Sequence, residues 1–284
     1  MIEISTEKYT DITSIAIGGF DGMHIGHQHL FDALDESGAI LVIETGYANL
    51  TPKKEREHYS HYPIIYFELN KIRHLNDVGF FELLLKTFPK LKKIVVGYDF
   101  HFGKDRCYNA NSLEKLMQRI DGQVVIIERV CLNNESIHSH KIRKKLLENK
   151  LVSANQELGH HYTIEGIMIK GQGIGAKELV ATINLEVNGF LLPKDGVYAT
   201  LTSINNEAFS HQSVSFIGNR SSTDNSFAIE THILNTKISA HDKVRISFIS
   251  YIRDNKKFDT LELLKQQIHD DIKNAKKALN PLKL

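Results

Sequence analysis

The stretch SIAIGGFDGMHIGHQ, Ser14–Gln28, decides how the first half of the chain is read. SIAIG is a short apolar run of the buried-strand kind. It breaks into Gly18-Gly19-Phe20-Asp21-Gly22 and passes at once into His24-Ile25-Gly26-His27, the start of a helical segment. A strand that ends in small residues and turns into a helix aims free backbone N–H groups and the positive helix end at one point, which suits an anion. Gly18, Gly19 and Gly22 allow a tight turn and a close approach of ligand to backbone. His24 and His27 are three apart and share a face of the first helical turn. There they are able to donate hydrogen bonds to phosphate oxygens and offset charge as a leaving group departs. Two other readings stay open on these residues alone. The histidines could ligate a metal, although no acidic or cysteine partner stands at suitable spacing, or the glycines could shape a structural turn only. The segment matches neither the P-loop nor the GxGxxG fingerprint.

Outward from this stretch, strands and helices alternate to about Lys150. AILVIET, PIIYFEL, KKIVVGY and QVVIIERV read as further buried strands, and His27–Leu34, Asp77–Phe88 and Asn111–Ile120 as helices. Phe80, Phe81, Leu84 and Phe88 share one helical face, suited to packing on a sheet. Such alternation predicts crossover units and a doubly wound parallel sheet. After Lys150 the pattern changes to Thr163–Lys170, Gly196–Ile204, Ser213–Ile217, Phe227–Leu234 and Lys243–Ile252, strands parted by turns rich in Gly, Asn, Ser and Asp. Strands without helices between them predict an antiparallel barrel or sandwich. Leu261, Leu264, Ile268, Ile272 and Ala275 form the stripe of a closing helix. The boundary is expected within Leu151–His161, giving domains 1–155 and 156–284.

The 284 residues suffice for two cores. With 35 basic against 34 acidic side chains, the net charge of +1 gives no nucleic-acid-coating surface. Lys53-Lys54 and Lys276-Lys277 read as solvated faces. Cys107 and Cys131 cannot build a disulfide framework, the N-terminus lacks the pattern of a signal peptide, and no apolar run reaches the ~18 residues of a membrane helix. A reducing, cytoplasmic setting is expected, with no membrane or nucleic-acid partner.

The GGFDGMHIGHQ segment resembles the phosphate-binding motif of the HxGH nucleotidyltransferase superfamily, in the form found in bifunctional riboflavin kinase/FAD synthetases. VVGYDFHFGKDR (Val95–Arg106) is similar to the flavin-site motif of that family and SIHSHKIR (Ser136–Arg143) to its closing motif, with LTP (Leu50–Pro52) in a familiar place between. The resemblance implies that Gly19, Phe20, Asp21, His24, Gly26 and His27 hold the ATP phosphates. It also implies that Gly97, Asp99, Phe100 and Phe102 line a flavin pocket, and that Ser139 and Arg143 close over the triphosphate. Read without the family, Phe100 and Phe102 are equally strand-end packing, and Arg143 a solvated helix residue. The chain departs from the family at Glu44-Thr45-Gly46-Tyr47, where a Pro-His-containing loop is usual, and at His138 and His140.

The second half resembles the riboflavin kinase domain of the same family through EGIMIKGQGIGAKELVATIN (Glu165–Asn184), PKDGVYA (Pro193–Ala199), FIGNR (Phe216–Arg220) and IETHIL (Ile229–Leu234). This implies Glu230 as the base of a phosphoryl transfer and Thr182 and Asn184 as ligands for Mg2+ and ATP. Gly171, Gly173 and Gly175 would bring backbone amides to the phosphates. Solvent-facing strand and turn positions are the alternative for these residues. Gly175–Asn184 lacks an arginine, a glycine and a proline usual in the family, which loosens the backbone beside Thr182, and Ser221 stands where a proline is usual. The implied activity is conversion of riboflavin and ATP to FMN, then of FMN and ATP to FAD, by a monomer or weak homo-oligomer. The alternatives are an FAD synthetase whose kinase half only binds flavin, and a nonenzymatic flavin- or nucleotide-binding regulator. Against the last stands the pairing of His24 with His27 beside Asp21.

Overall fold

Strand β1 (Ser14–Gly18) buries Ile15 and Ile17 in one apolar cluster and Ala16, between them, in another. It is followed by α1 (Ile25–Phe31), β2 (Gly38–Glu44), β3 (Ile64–Glu68), α2 (Asp77–Thr87) and β4 (Lys93–Gly97). In β2 and β4 the same alternation recurs, with Leu41, Ile94 and Val96 on the first side and Ile40, Val42 and Val95 on the second. Successive strand side chains point to opposite faces, so strands apolar at every position are covered on both. Phe80, Phe81 and Leu84 of α2 cover the first face, with Leu113 and Leu116 of α3 (Ala110–Met117). Leu30 and Phe31 of α1 cover the second. With β5 (Gln123–Ile127) the order is β3-β2-β1-β4-β5, all parallel. This is the doubly wound sheet that the sequence pattern predicts. The chain runs outward from β1 to β3, then returns to lay β4 on the free side of β1, so the order reverses between β1 and β4.

The structure is a computed structural model and describes residues 9–169, 180–205, 207, 210–222, 224–234 and 243–280. Two compact units are present, Met1–Ser139 and His140–Leu284, dividing at the start of helix α4 (Ser139–Leu147). Helix α5 (Leu151–Leu158) ends at Gly159, whose φ of 77° is the left-handed conformation that glycine adopts freely.

In the second unit β6 (Thr163–Ile169), β7 (Ile183–Glu186), β8 (Gly196–Ile204), β9 (His211–Asn219), β10 (Phe227–Ile233) and β11 (Lys243–Arg253) close an antiparallel barrel in the order β6-β7-β10-β9-β8-β11. Five of these strands are the expected ones; β7 is additional. The barrel is partly lined by hydroxyls. Thr200, Thr202, Ser213, Ser215 and Thr231 are buried and bond one another, for example Thr200 to Ser213 and Ser215 at 2.8 Å each and Thr202 to Ser213 at 2.7 Å. Mutual bonding satisfies groups that would be costly if left alone. Because Ile229, Thr231 and Ile233 of β10 are buried, the alternate Glu230 and His232 face outward. Among the described residues no helix is long and apolar enough to cross a membrane.

Helix α6 (Leu261–Leu279) packs Ala275 and Leu279 against Val197, Ala199 and Val214 of the barrel. Its polar anchor is Asp271, 3% exposed, whose two oxygens take hydrogen bonds from Arg253 Nε (2.9 Å) and Nη2 (2.7 Å), and from Gln267 (2.9 Å). Removing one partner of a buried pair strands the other, at a cost of about 3 kcal/mol. Asp271→Ala is therefore expected to speed amide hydrogen exchange along 261–279 by about a hundredfold, with strand β1 unaffected. Exchange there within twofold of the parent would refute the anchoring role.

Candidate active sites

The turn after β1 is conformationally demanding. Phe20 (φ 47°), Gly22 (φ 88°) and Met23 (φ 44°) all lie in the left-handed region, which costs the two non-glycine residues energy. The Asp21 carboxylate offsets this. It accepts from the backbone N–H groups of Leu50 (3.0 Å), Thr51 (2.9 Å) and Asn49 (3.3 Å), while Thr51 Oγ1 accepts from Gly22 N–H at 2.7 Å. The LTP segment is thus the floor of the turn, and both oxygens of Asp21 face that floor. A second brace comes from Arg56, 1% exposed, which donates to the Gly19 carbonyl (3.1 Å), the Lys53 carbonyl (3.1 Å) and Glu44 Oε2 (3.0 Å). Gly19 itself is open: nothing stands within 4 Å of where a Cβ would be.

Helix α1 is shorter than the sequence suggests, seven residues with His24 as its cap, so its dipole is a small part of the field here. His24 Nδ1 accepts from the His27 backbone N–H at 3.3 Å. That bond places the proton of a neutral His24 ring on Nε2. The two imidazoles stack at 3.5 Å between centroids, 19° apart, and Phe20 meets His27 edge-on at 5.2 Å. A Cβ at Gly26 would lie 3.2 Å from the His24 ring, so a larger residue would crowd it. Gln28 Nε2 donates to the Met23 carbonyl at 2.9 Å and ties the turn to α1. His27 Nδ1 is buried without a hydrogen-bond partner. Burial first, then the charges of His24, Arg56 and His138, hold its pKa well below the usual histidine value.

Gly97 ends β4, the strand beside β1, so its segment meets the first turn at the point where the strand order reverses. Crevices outside the carboxyl ends of strands at such a reversal are where open α/β sheets bind ligands. Phe102 is 7% exposed and belongs to the core with Phe80. Phe100, partly exposed, stacks on it at 5.5 Å and 20°. Asp99 is exposed beside Gly97. Ser139 Oγ donates to the Asp21 carbonyl at 2.8 Å, and Arg143 lies one turn further along α4 in the second unit.

On the barrel, Asn184 of β7 pairs directly with Glu230 of β10. Arg220 bridges them, donating from Nε to Glu230 Oε1 at 2.7 Å and from Nη2 to Asn184 Oδ1 at 2.5 Å, with Nη1 to Ser226 Oγ at 2.7 Å. Thr182 is exposed, two residues before Asn184. Gly171, Gly173 and Gly175 lie outside the described residues. Sequence reading passed over Arg56, Gln28 and the bridging role of Arg220. Arg220 and Gln28 carried a signal, their places in FIGNR and GGFDGMHIGHQ; Arg56 is hidden within the charged run KKEREHY.

Comparison with known proteins follows the same division. Residues 158–279 match the riboflavin kinase family model and residues 62–141 that of FAD synthetase. The bifunctional riboflavin kinase/FMN adenylyltransferase of Buchnera aphidicola subsp. Acyrthosiphon pisum is 30% identical, over 94% of this chain and 93% of its own length. The proteins of the same description from Listeria monocytogenes (26%; 94% and 93%) and Escherichia coli (24%; 90% and 90%) are also similar. A crystal structure titled as a macrolide-efflux protein from Streptococcus pneumoniae superimposes with a TM-score of 0.78 at 23% identity, over 94% of both chains, a likeness of fold.

An imidazole kept neutral by the fold but free to protonate when unfolded contributes stability that is whole above about pH 6.5 and is lost as the pH falls below it. His27 is accordingly expected to show no NMR titration near pH 6.5, and Arg56→Met, which removes one depressing charge, to move its midpoint upward. A parent His27 titrating at the ordinary value would contradict the burial described.

Proposed function

The chain belongs to the bifunctional riboflavin kinase/FMN adenylyltransferase family, and from that premise we infer which of its residues carry the two reactions. The protein phosphorylates riboflavin with ATP to give FMN and ADP, and adenylylates FMN with a second ATP to give FAD and pyrophosphate. The observation that carries the assignment of residues is the meeting of two segments at the reversal of strand order: the turn after β1, with its open Gly19, and the end of β4 at Gly97.

In the adenylylation, an oxygen of the FMN phosphate attacks the α-phosphorus of ATP and pyrophosphate leaves. Positioning and charge stabilisation then do most of the work. Gly19 leaves room for the triphosphate against the backbone, and Gly26 keeps space for the His24 ring. His24, through Nε2–H, and His27 donate to phosphate oxygens as negative charge moves to the leaving group. Asp21 and Phe20 are positioning residues, Asp21 through its grip on residues 49–51. Ser139 holds the Asp21 carbonyl. Arg143 is assigned to the triphosphate by its place in the SIHSHKIR segment, since a guanidinium fork suits phosphate oxygens. Gly97, Asp99 and Phe100 border the flavin, and Phe102 backs Phe100 from the core.

In the phosphorylation, Glu230 takes the proton of the riboflavin primary hydroxyl as its oxygen attacks the γ-phosphorus, with Arg220 fixing that carboxylate beside Asn184. For Mg2+, the Thr182 hydroxyl just before β7 and Asn184 Oδ1 within it are oxygen donors two residues apart, and the amide oxygen keeps a lone pair beyond its bond to Arg220, a set that fits a hard cation. An ion held by these two oxygens would supply positive charge to the transferring phosphates. Gly171, Gly173 and Gly175 are assigned to the phosphates by sequence. We place the functional division at 155/156 and the protein in the cytoplasm.

Separation of products after incubation with riboflavin, ATP and Mg2+ tests each half. His24→Ala and His27→Ala are each expected to lower FAD formation from FMN about a hundredfold or more while sparing FMN formation. Glu230→Gln is expected to do the reverse, lowering FMN formation by a similar factor. Undiminished product from any of these variants would remove that residue from its role.

A further inference from the structure

On the outer face of β10, His232 stands two residues beyond Glu230, and its Nδ1 lies 2.7 Å from the carbonyl oxygen of Ala181. A carbonyl only accepts, so Nδ1 carries the proton; this holds for the neutral and the protonated ring alike. The β7–β10 ladder pairs Asn184 with Glu230 and Ile183 with Thr231. The pairing stops there: Thr182 comes just before β7, next to the Ala181 carbonyl that His232 holds. Directly opposed residues of an antiparallel pair project to the same face. Asn184 and Glu230 therefore share one face, His232 stands two residues along β10 on that same face, and Thr182 follows the carbonyl His232 holds; three of these four residues already have assigned roles. The regular ladder has stopped at this corner. Thr182 is exposed and lies outside β7, so the imidazole supplies the tie between strands where the backbone pairing ends.

We propose that His232 is a positioning residue for the phosphoryl transfer: by holding the Ala181 carbonyl it fixes the Thr182 hydroxyl at the spacing from Asn184 that MgATP requires. The role rests on the assignment of Thr182 and Asn184 above. It also explains how Thr182 keeps its place with Ala181, rather than a ring-constrained residue, in front of it. His232 touches neither reacting atom in this role; its effect passes through the backbone of residues 181 and 182.

The test compares the parent chain with His232→Ala and His232→Asn in riboflavin phosphorylation, varying MgATP and riboflavin separately. Alanine removes the donor, whereas the asparagine NH2 is able to reproduce it near the position of Nδ1. For His232→Ala, kcat/KM for MgATP is expected to fall about tenfold, in line with the loss of one ordering hydrogen bond. The KM for riboflavin should stay within about twofold, reporting an intact barrel, and FMN adenylylation should be unchanged. His232→Asn should lie within about threefold of the parent. The proposal is overturned if alanine leaves MgATP kinetics unaltered, if asparagine is as damaging as alanine, or if the loss falls on the riboflavin KM. A parent chain that adenylylates FMN but never phosphorylates riboflavin would overturn the kinase assignment itself, and this inference with it.

Discussion

A turn with three left-handed residues in four does not hold itself, and in the first unit one carboxylate holds it. Asp21 takes backbone N–H bonds from Asn49, Leu50 and Thr51, and Arg56 grips the neighbouring Gly19 carbonyl from below. The Asp21 carboxylate is taken up by residues 49–51, while Gly19 is left open. His24 is oriented by the N–H it caps, and His27 by Phe20 and by stacking on His24. The strain at Phe20 and Met23 is the local cost of this turn, and sheet packing around β1 and β4 sustains it.

The barrel solves a related problem by different means. The site proposed there is built on register rather than on a strained turn. Hydroxyls and branched apolar side chains fill the alternate inward positions, which puts Asn184 and Glu230 side by side on the outward face. Arg220 then spans both, fixing two side chains through one rigid fork. A one-residue slip of β10 would turn Glu230 inward and Thr231 outward. Few alternatives to the observed pairing therefore keep both the buried hydroxyl chain and the external pair.

Legibility in the sequence followed the range of the interactions involved. SIAIG, AILVIET and KKIVVGY announce doubly covered strands because that signal is local and periodic, and Phe80, Phe81 and Leu84 do the same for α2. Strand β7 gave no such signal: INLE is four residues long and is a strand only by pairing with β6 and β10. The histidines and glycines of the first turn stood out by residue type and spacing. Arg56 did not, since it is one charge among several in KKEREHY; Lys53 and Lys54, read as a solvated face, are exposed, while the 3-10 turn rotates Arg56 inward beneath Gly19. The target of Asp21 was hidden for a similar reason, because its partners are backbone groups some thirty residues away. Phe100 and Phe102 looked alike in sequence; packing separates them, with Phe102 in the core and Phe100 at its edge.

The central claim is that the crevice between the ends of β1 and β4 receives the triphosphate and the flavin phosphate together. Amide chemical-shift mapping with FMN and an ATP analogue carrying a methylene bridge between its α- and β-phosphorus atoms tests it most directly, since the analogue cannot release pyrophosphate. The account predicts the largest first-unit changes at Gly18–His27 and Gly97–Phe102. Shifts in the barrel with both of those segments unmoved would contradict it.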